Sequence, residues 1–113
     1  MNKRIVGKEK EALAAKLLSL HGYEVIARNY RCRSGEVDVI AKEDGYLVFI
    51  EVKYRSSLRF GEPQLAVNGH KQGKIKEVAR WYCHAEGIDD YPIRYDVVAI
   101  LGKKYQIIKN AFY

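Results

Sequence analysis

Cysteine is scarce in this chain of 113 residues, with Cys32 and Cys83 alone. They form no Cys-x-x-Cys pair and share no metal-ligand spacing with histidine. A zinc centre and a disulfide framework are therefore not expected, and reduced thiols are the default. Long hydrophobic runs are also missing. None approaches the roughly 18 residues of a membrane span, and Met1-Asn2-Lys3-Arg4 leads into no apolar signal-peptide region. A cytoplasmic location without membrane contact is expected. There are two prolines: Pro63 suits the first turn of a short helix through Leu65-Ala66-Val67, and Pro92 closes the linker Asp89-Asp90-Tyr91. Acid is the minority charge, 14 Asp and Glu against 20 Lys and Arg for a net +6, which points toward a polyanionic partner. No repeat, low-complexity tract or compositional boundary interrupts the sequence, so residues 1–113 read as a single domain.

What is present centres on Gly35-Glu36-Val37-Asp38-Val39-Ile40 and Leu47-Val48-Phe49-Ile50-Glu51-Val52-Lys53, rich in β-branched residues and separated by the turn signal Asp44-Gly45. A two-residue turn there makes paired positions sum to a constant. Asp38 then faces Glu51, Glu36 faces Lys53 and Ile40 faces Phe49. With period-two alternation, Glu36, Asp38, Glu51 and Lys53 share one face, while Val37, Val39, Val48, Ile50 and Val52 share the other. A three-residue loop would slip this register and separate the acids.

Two carboxylates opposed on adjacent strands repel and are costly to desolvate. A cation between them is expected. Mg²⁺ or Mn²⁺ fits, because hard oxygen donors suit such ions and Mg²⁺ commonly takes only one or two carboxylates. Lys53 would stand beside a substrate phosphate. The alternative is a structural ion pair of Lys53 with Asp38 or Glu36. Basic residues gather with aromatics on both sides of the hairpin, at Arg28-Asn29-Tyr30-Arg31-Cys32-Arg33 and Lys53-Tyr54-Arg55-Ser56-Ser57-Leu58-Arg59-Phe60. Arginines there would attract phosphates, and Tyr30, Tyr54 or Phe60 would stack on an unpaired base.

Along the rest of the chain, Leu13, Leu17 and Leu20 with Ala14 and Leu18 mark a helix from about Gly7 to His21, ending at Gly22. Glu11 lies at the edge of its apolar face, where it either reaches toward the hairpin acids as a third carboxylate or is an exposed acid favoured by the helix dipole. A strand over Tyr23–Arg31 precedes the hairpin, and a rim loop over Tyr54–Gly61 follows it. A second helix from His70 to Glu86 carries Ile75, Val78, Ala79, Tyr82 and Ala85 on one face, with Lys71, Lys74, Lys76 and Arg80 around it. Ile93–Leu101 is a buried strand with Asp96 inside, for which pairing with Arg94 or a hairpin lysine is expected. Tyr105–Ile108 reads as an edge strand. A helix between buried strands favours a parallel crossover, so the order α-β-β-β-α-β-β describes an α/β sandwich around a mixed sheet.

An acid on a first helix, an Asp on one strand and Glu-x-Lys on the next resemble the PD-(D/E)XK nuclease superfamily. Gly7-Lys8-Glu9-Lys10-Glu11-Ala12, Arg28-Asn29-Tyr30-Arg31, Gly35–Ala41, Val48–Arg55 and Arg94-Tyr95-Asp96-Val97-Val98 resemble more closely the YraN-like family of small bacterial predicted endonucleases. The resemblance implies a restriction-endonuclease-like three-layer sandwich, with a central mixed sheet flanked by helices and similarity to archaeal-type junction resolvases. It implies Mg²⁺- or Mn²⁺-dependent hydrolysis of phosphodiester bonds in DNA, branched or structured DNA among its forms, with RNA not set apart by these residues. Asp38 and Glu51 match the metal-binding acids, the Val52 carbonyl a further ligand, Lys53 the catalytic lysine and Glu11 the helical acid of junction-resolving nucleases. Arg28, Arg31, Arg33, Tyr54, Arg55 and Lys71 are the expected nucleic-acid contacts. A junction substrate needs two cuts, which suggests a homodimer by analogy. Val37 and Lys10 depart from the usual proline and glycine. The different outcome consistent with the same residues is a nucleic-acid-binding protein that keeps the fold without cleaving.

Overall fold

The computed structural model describes residues 3–55 and 68–113. Its elements are α1 (Lys3–Leu20), β1 (Glu24–Cys32), β2 (Gly35–Glu43), β3 (Tyr46–Arg55), α2 (Gly69–Ala85), β4 (Ile93–Leu101) and β5 (Lys104–Phe112). The five strands form one sheet in the order β1-β2-β3-β4-β5. Neighbours are antiparallel except β3 and β4, which are parallel across the α2 connection. This is the expected order, because a helical crossover returns the chain in the direction from which it left. No helix among the described residues is long and apolar enough to cross a membrane.

The helices cover opposite faces of the sheet. Ala14 and Leu18 of α1 pack with Val39, Ala41, Val48, Ile50, Val98 and Ile100. Ile75, Val78, Ala79 and Tyr82 of α2 pack with Val37, Ile40, Leu47, Phe49 and Val97. A three-layer α/β sandwich results, and β3, buried on both faces, is its spine.

Several boundaries and faces differ from those expected. α1 starts at Lys3 rather than Gly7, since a glycine weakens a helix without ending it. Its buried stripe is Ala14 and Leu18, whereas Leu13 and Leu20 face outward. Small Ala14 lets the helix sit close to the sheet, and the contact is too narrow to cover the flanking leucines. Asn68 is not merely a break before α2 but its N-cap, accepting the Lys71 amide at 2.9 Å. Ala85, expected on the buried face, is exposed in the last turn. β5 runs on to Phe112 rather than ending at Ile108. Tyr54 and Arg55 belong to β3, held by β4 as far as Leu101, rather than to a loop. The rest of the expected rim loop, including Phe60, and the short helix after Pro63 lie outside the described residues.

At one end of the α1 face a buried ion network joins three strands, β2, β4 and β5, with Tyr23 from just before β1. Arg94 grips Asp96 with Nε to Oδ1 at 2.9 Å and Nη2 to Oδ2 at 2.8 Å, and reaches Glu43 at 2.7 Å. Tyr23 and the Asn110 amide also donate to Asp96, at 2.7 and 2.9 Å. Lys109 completes the set on Glu43 at 3.1 Å. Asp96 is fully buried, yet no buried side-chain polar atom among the described residues lacks a partner. The pairing with Arg94 is the expected structural one.

Removing one member of a buried ion network strands the other. Arg94→Ala should therefore lower unfolding free energy by about 3 kcal/mol, measured by urea titration. An unchanged midpoint would show that the network carries no stability.

Candidate active site

The hairpin turn has two residues, with Asp44 at φ 52 and Gly45 at φ 81, a left-handed pair that matches strand twist. Ile40 faces Phe49 and Glu43 faces Tyr46, the register expected from the sequence. The β2/β3 ladder ends at Val39 and Ile50. Asp38 and Glu51 therefore lie beyond the last backbone pair, where the strands part. On the other side, the pairing of β2 with β1 passes over Asp38 and Asn29, and Asn29 has φ 53. Period-two alternation fails at this point. Val37, expected with Val39 on one face, packs instead in the α2 cluster.

In the opening so formed, the Asp38 carboxylate accepts the Val52 amide at 2.8 Å, replacing a missing ladder bond. Glu51 is 5 % exposed and meets Lys71 of α2 at 3.3 Å and Lys53 at 4.0 Å. From the opposite layer, Glu11 of α1 comes close to Asp38, whose charge raises its carboxyl, and to the Asn29 side chain, which lowers it. The two helices thus bring an acid and a base to one sheet end. Lys10 turns its ammonium over the Tyr54 ring at 4.4 Å from the centroid.

Burial raises the Asp38 carboxyl to about 6, helped by the charge of Glu51 and opposed by the Val52 amide. Burial likewise raises Glu51, with Lys71 and Lys53 pulling the other way. Glu11 is raised by burial and then by the Asp38 charge. The acids are thus held with less positive charge than full ionisation demands. Their hard oxygen donors fit a divalent cation bound by two carboxylates. Among the described residues no three His, Cys, Asp or Glu side chains converge on one point to hold an ion, so Asp38 and Glu51 would hold it as a pair, with Glu11 beside Asp38.

Of the expected nucleic-acid contacts, Lys71 lies at the acids themselves. The sequence suggested that it meets nucleic acid and did not reveal its contact with Glu51, which depends on where α2 lands. Arg28, Arg31 and Arg33 are exposed along β1 and its turn, and Tyr54 is exposed at the end of β3. Arg31 is committed to Glu36 at 3.0 Å. Glu36 thus takes a nearby arginine rather than Lys53. The backbone of Arg55 ends β3, and its side chain lies outside the described residues. Asn29 escaped the sequence reading, although an asparagine between charged and aromatic strand residues is a recognisable candidate for positive φ.

A family profile described as "Uncharacterised protein family UPF0102" matches residues 10–100, which include all the acids and lysines of the site. The UPF0102 protein of Lachnoclostridium phytofermentans is 47% identical over 113 residues, covering 99% of this chain and 96% of that one. That of Caldicellulosiruptor bescii is 48% identical over 119 aligned positions, covering 99% and 100%. That of Thermodesulfovibrio yellowstonii is 45% identical over 108, covering 96% of each.

The raised Asp38 carboxyl has a consequence for stability. Its folded value, about 6, exceeds its ordinary 3.8, so the folded chain binds the proton more tightly than the unfolded chain. Asp38 favours the fold at acid pH, and that contribution is lost as pH rises through about 6. Asp38→Asn keeps an oxygen for the Val52 amide and removes the buried charge. In EDTA it should melt roughly 5 °C above the parent near pH 7.5, and the gain should vanish near pH 4. A calorimetric scan showing no gain near neutrality would refute this account of the site.

Proposed function

Since the chain belongs to the family UPF0102, which its YraN-like motifs resemble, we propose that it is a Mg²⁺- or Mn²⁺-dependent endonuclease hydrolysing phosphodiester bonds in DNA, branched or structured DNA among its substrates. The observation that carries this reading is the meeting of Asp38 and Glu51 with Lys53 and Lys71 at the parted end of β2 and β3. A structural strand pair has no need of a buried acid, a half-buried acid beside it and two ammoniums in one opening.

A divalent cation there would supply Lewis acidity, lowering the pKa of a water at neutral pH and offsetting charge on the scissile phosphate. Asp38 and Glu51 would hold it, with the Val52 carbonyl as a further donor. The Val52 amide keeps the Asp38 carboxylate oriented on the strand end. Lys53 stands beside Glu51 and orients the attacking water against the phosphate. Lys71 neutralises Glu51 and offers an ammonium to the approaching backbone. Glu11 leans on Asp38 from α1 and tunes its charge. Exposed Arg28 and Arg33, with Tyr54, line the approach for a polyanion.

The second reading is a nucleic-acid-binding protein of the same fold without cleavage. It is favoured by the 3.3 Å contact of Lys71 with Glu51, which supplies a resident counter-charge. The two readings separate on one set of assays. Incubation with duplex, nicked, flapped and four-way DNA plus Mg²⁺ or Mn²⁺ should yield cleavage. Asp38→Ala, Glu51→Ala and Lys53→Ala should each reduce it by roughly a hundredfold or more. Salt-sensitive binding with no product on any substrate, and no calorimetric heat of Mg²⁺ binding that Glu51→Ala removes, would replace the first reading with the second.

A further inference from the structure

The protein contains one tryptophan, Trp81. It is not used in the core. On the outer side of α2 it remains 42 % exposed, lining a cavity of about 290 Å³ with Ser34, Glu77, Arg80 and His84. A large aromatic face left in water by a helix that buries Ile75, Val78, Ala79 and Tyr82 is available for a flat partner. We propose that this cavity is a nucleobase-stacking subsite, and that the substrate therefore carries an unpaired base at a fixed distance from the acids. The inference rests on nucleic acid being the substrate.

Position supports it. From Lys71, at the acids, to Trp81 the helix advances by about 15 Å. From Ser34, at the cavity, to Asp38 the strand advances by about 13 Å. Both routes put the cavity about four base steps of roughly 3.4 Å from the reacting phosphate. Between the two on β2 lie Gly35 and Glu36, the latter neutralised by Arg31, while exposed Arg33 stands in the β1–β2 turn at the cavity itself, where an incoming backbone would meet it.

Chemistry selects a base over a phosphate. Glu77 places a carboxylate in the cavity wall, only 4.0 Å from Lys74 and so partly neutralised. It repels a phosphate and accepts from an exocyclic amine or ring N–H. Ser34 and His84 offer further hydrogen bonds to ring edges, and Arg80 a cation and planar stacking face. An indole stacks on every base through its π face, so no sequence preference is required.

Because Trp81 is the single tryptophan, its emission reports the subsite directly. The full-length chain in EDTA is titrated with hexathymidylate, with an abasic sugar-phosphate oligomer of equal length and with a blunt duplex. Hexathymidylate should quench the emission and the other two should leave it unchanged. In anisotropy titrations of labelled hexathymidylate, Trp81→Ala should weaken binding about tenfold and Trp81→Phe less than about twofold, the scale of one stacked base. Equal quenching by the abasic oligomer or blunt duplex, or unchanged affinity in Trp81→Ala, overturns the subsite. Without divalent cation, loss of cleavage does not enter the measurement. If the parent binds none of the nucleic acids, the nucleic-acid reading falls with the subsite; binding that ignores Trp81 removes the subsite alone.

Discussion

The Val52 amide has no strand partner on the β2 side, because the ladder between β2 and β3 stops at Val39 and Ile50, and the Asp38 carboxylate takes its place at 2.8 Å. A buried backbone donor must be satisfied, and here a charged side chain does it. That substitution lets the two strands part without an unpaired amide. It also draws a carboxylate into the sheet and leaves a gap in which Glu51, Lys53, Lys71 and Glu11 meet. The opening, its charge and its access from both helices all follow from this one bond.

The same device recurs at Asp96. There the β4/β5 register shifts between Tyr95 and Val97, and Asp96 accepts the Asn110 amide at 2.9 Å. The two acids differ in their company. Asp96 is gripped by Arg94 and Tyr23, so its charge is matched by hydrogen bonds made for it. Asp38 has Glu51 and Glu11 nearby instead, and burial with the charge of Glu51 raises its carboxyl. One ladder break is a structural joint. The other holds unmatched negative charge at a sheet end bordered by arginines, the arrangement from which a cation-dependent reaction on a polyanion is inferred.

The two helices have unequal roles. α1 presses small Ala14 against the sheet and brings Glu11 to Asp38. α2 lies over the opposite face, its Lys71 at Glu51 and its Trp81 by the β1–β2 turn. It thereby links the acids to an aromatic surface some turns away, and a single rigid helix sets the distance between them.

Much of this molecule is legible in its residue order. Alternation and Asp44-Gly45 determine the hairpin register, since a two-residue left-handed turn allows only one pairing. A helix between two apolar strands determines the parallel crossover, and the isolated Glu-x-Lys following an Asp-bearing strand marks the acids. Sequence periodicity was silent where local geometry departs from the ideal. The ladder break at Asp38, the positive φ of Asn29 and the crossing of Val37 to the α2 face are set by strand twist and by packing from both sides. The leucines of α1 likewise share a period without sharing burial, because only the approach of the sheet decides which of them it covers. Sequence alone thus determined the order of elements and the identity of the acids, both local consequences of side-chain type and spacing. Only the tertiary structure decided that Lys71 sits on Glu51, that Trp81 keeps a face in solvent and that Glu36 takes Arg31 rather than Lys53, because the first two depend on how α2 crosses the sheet and the third on β2 pairing with β1, not β3, at that end.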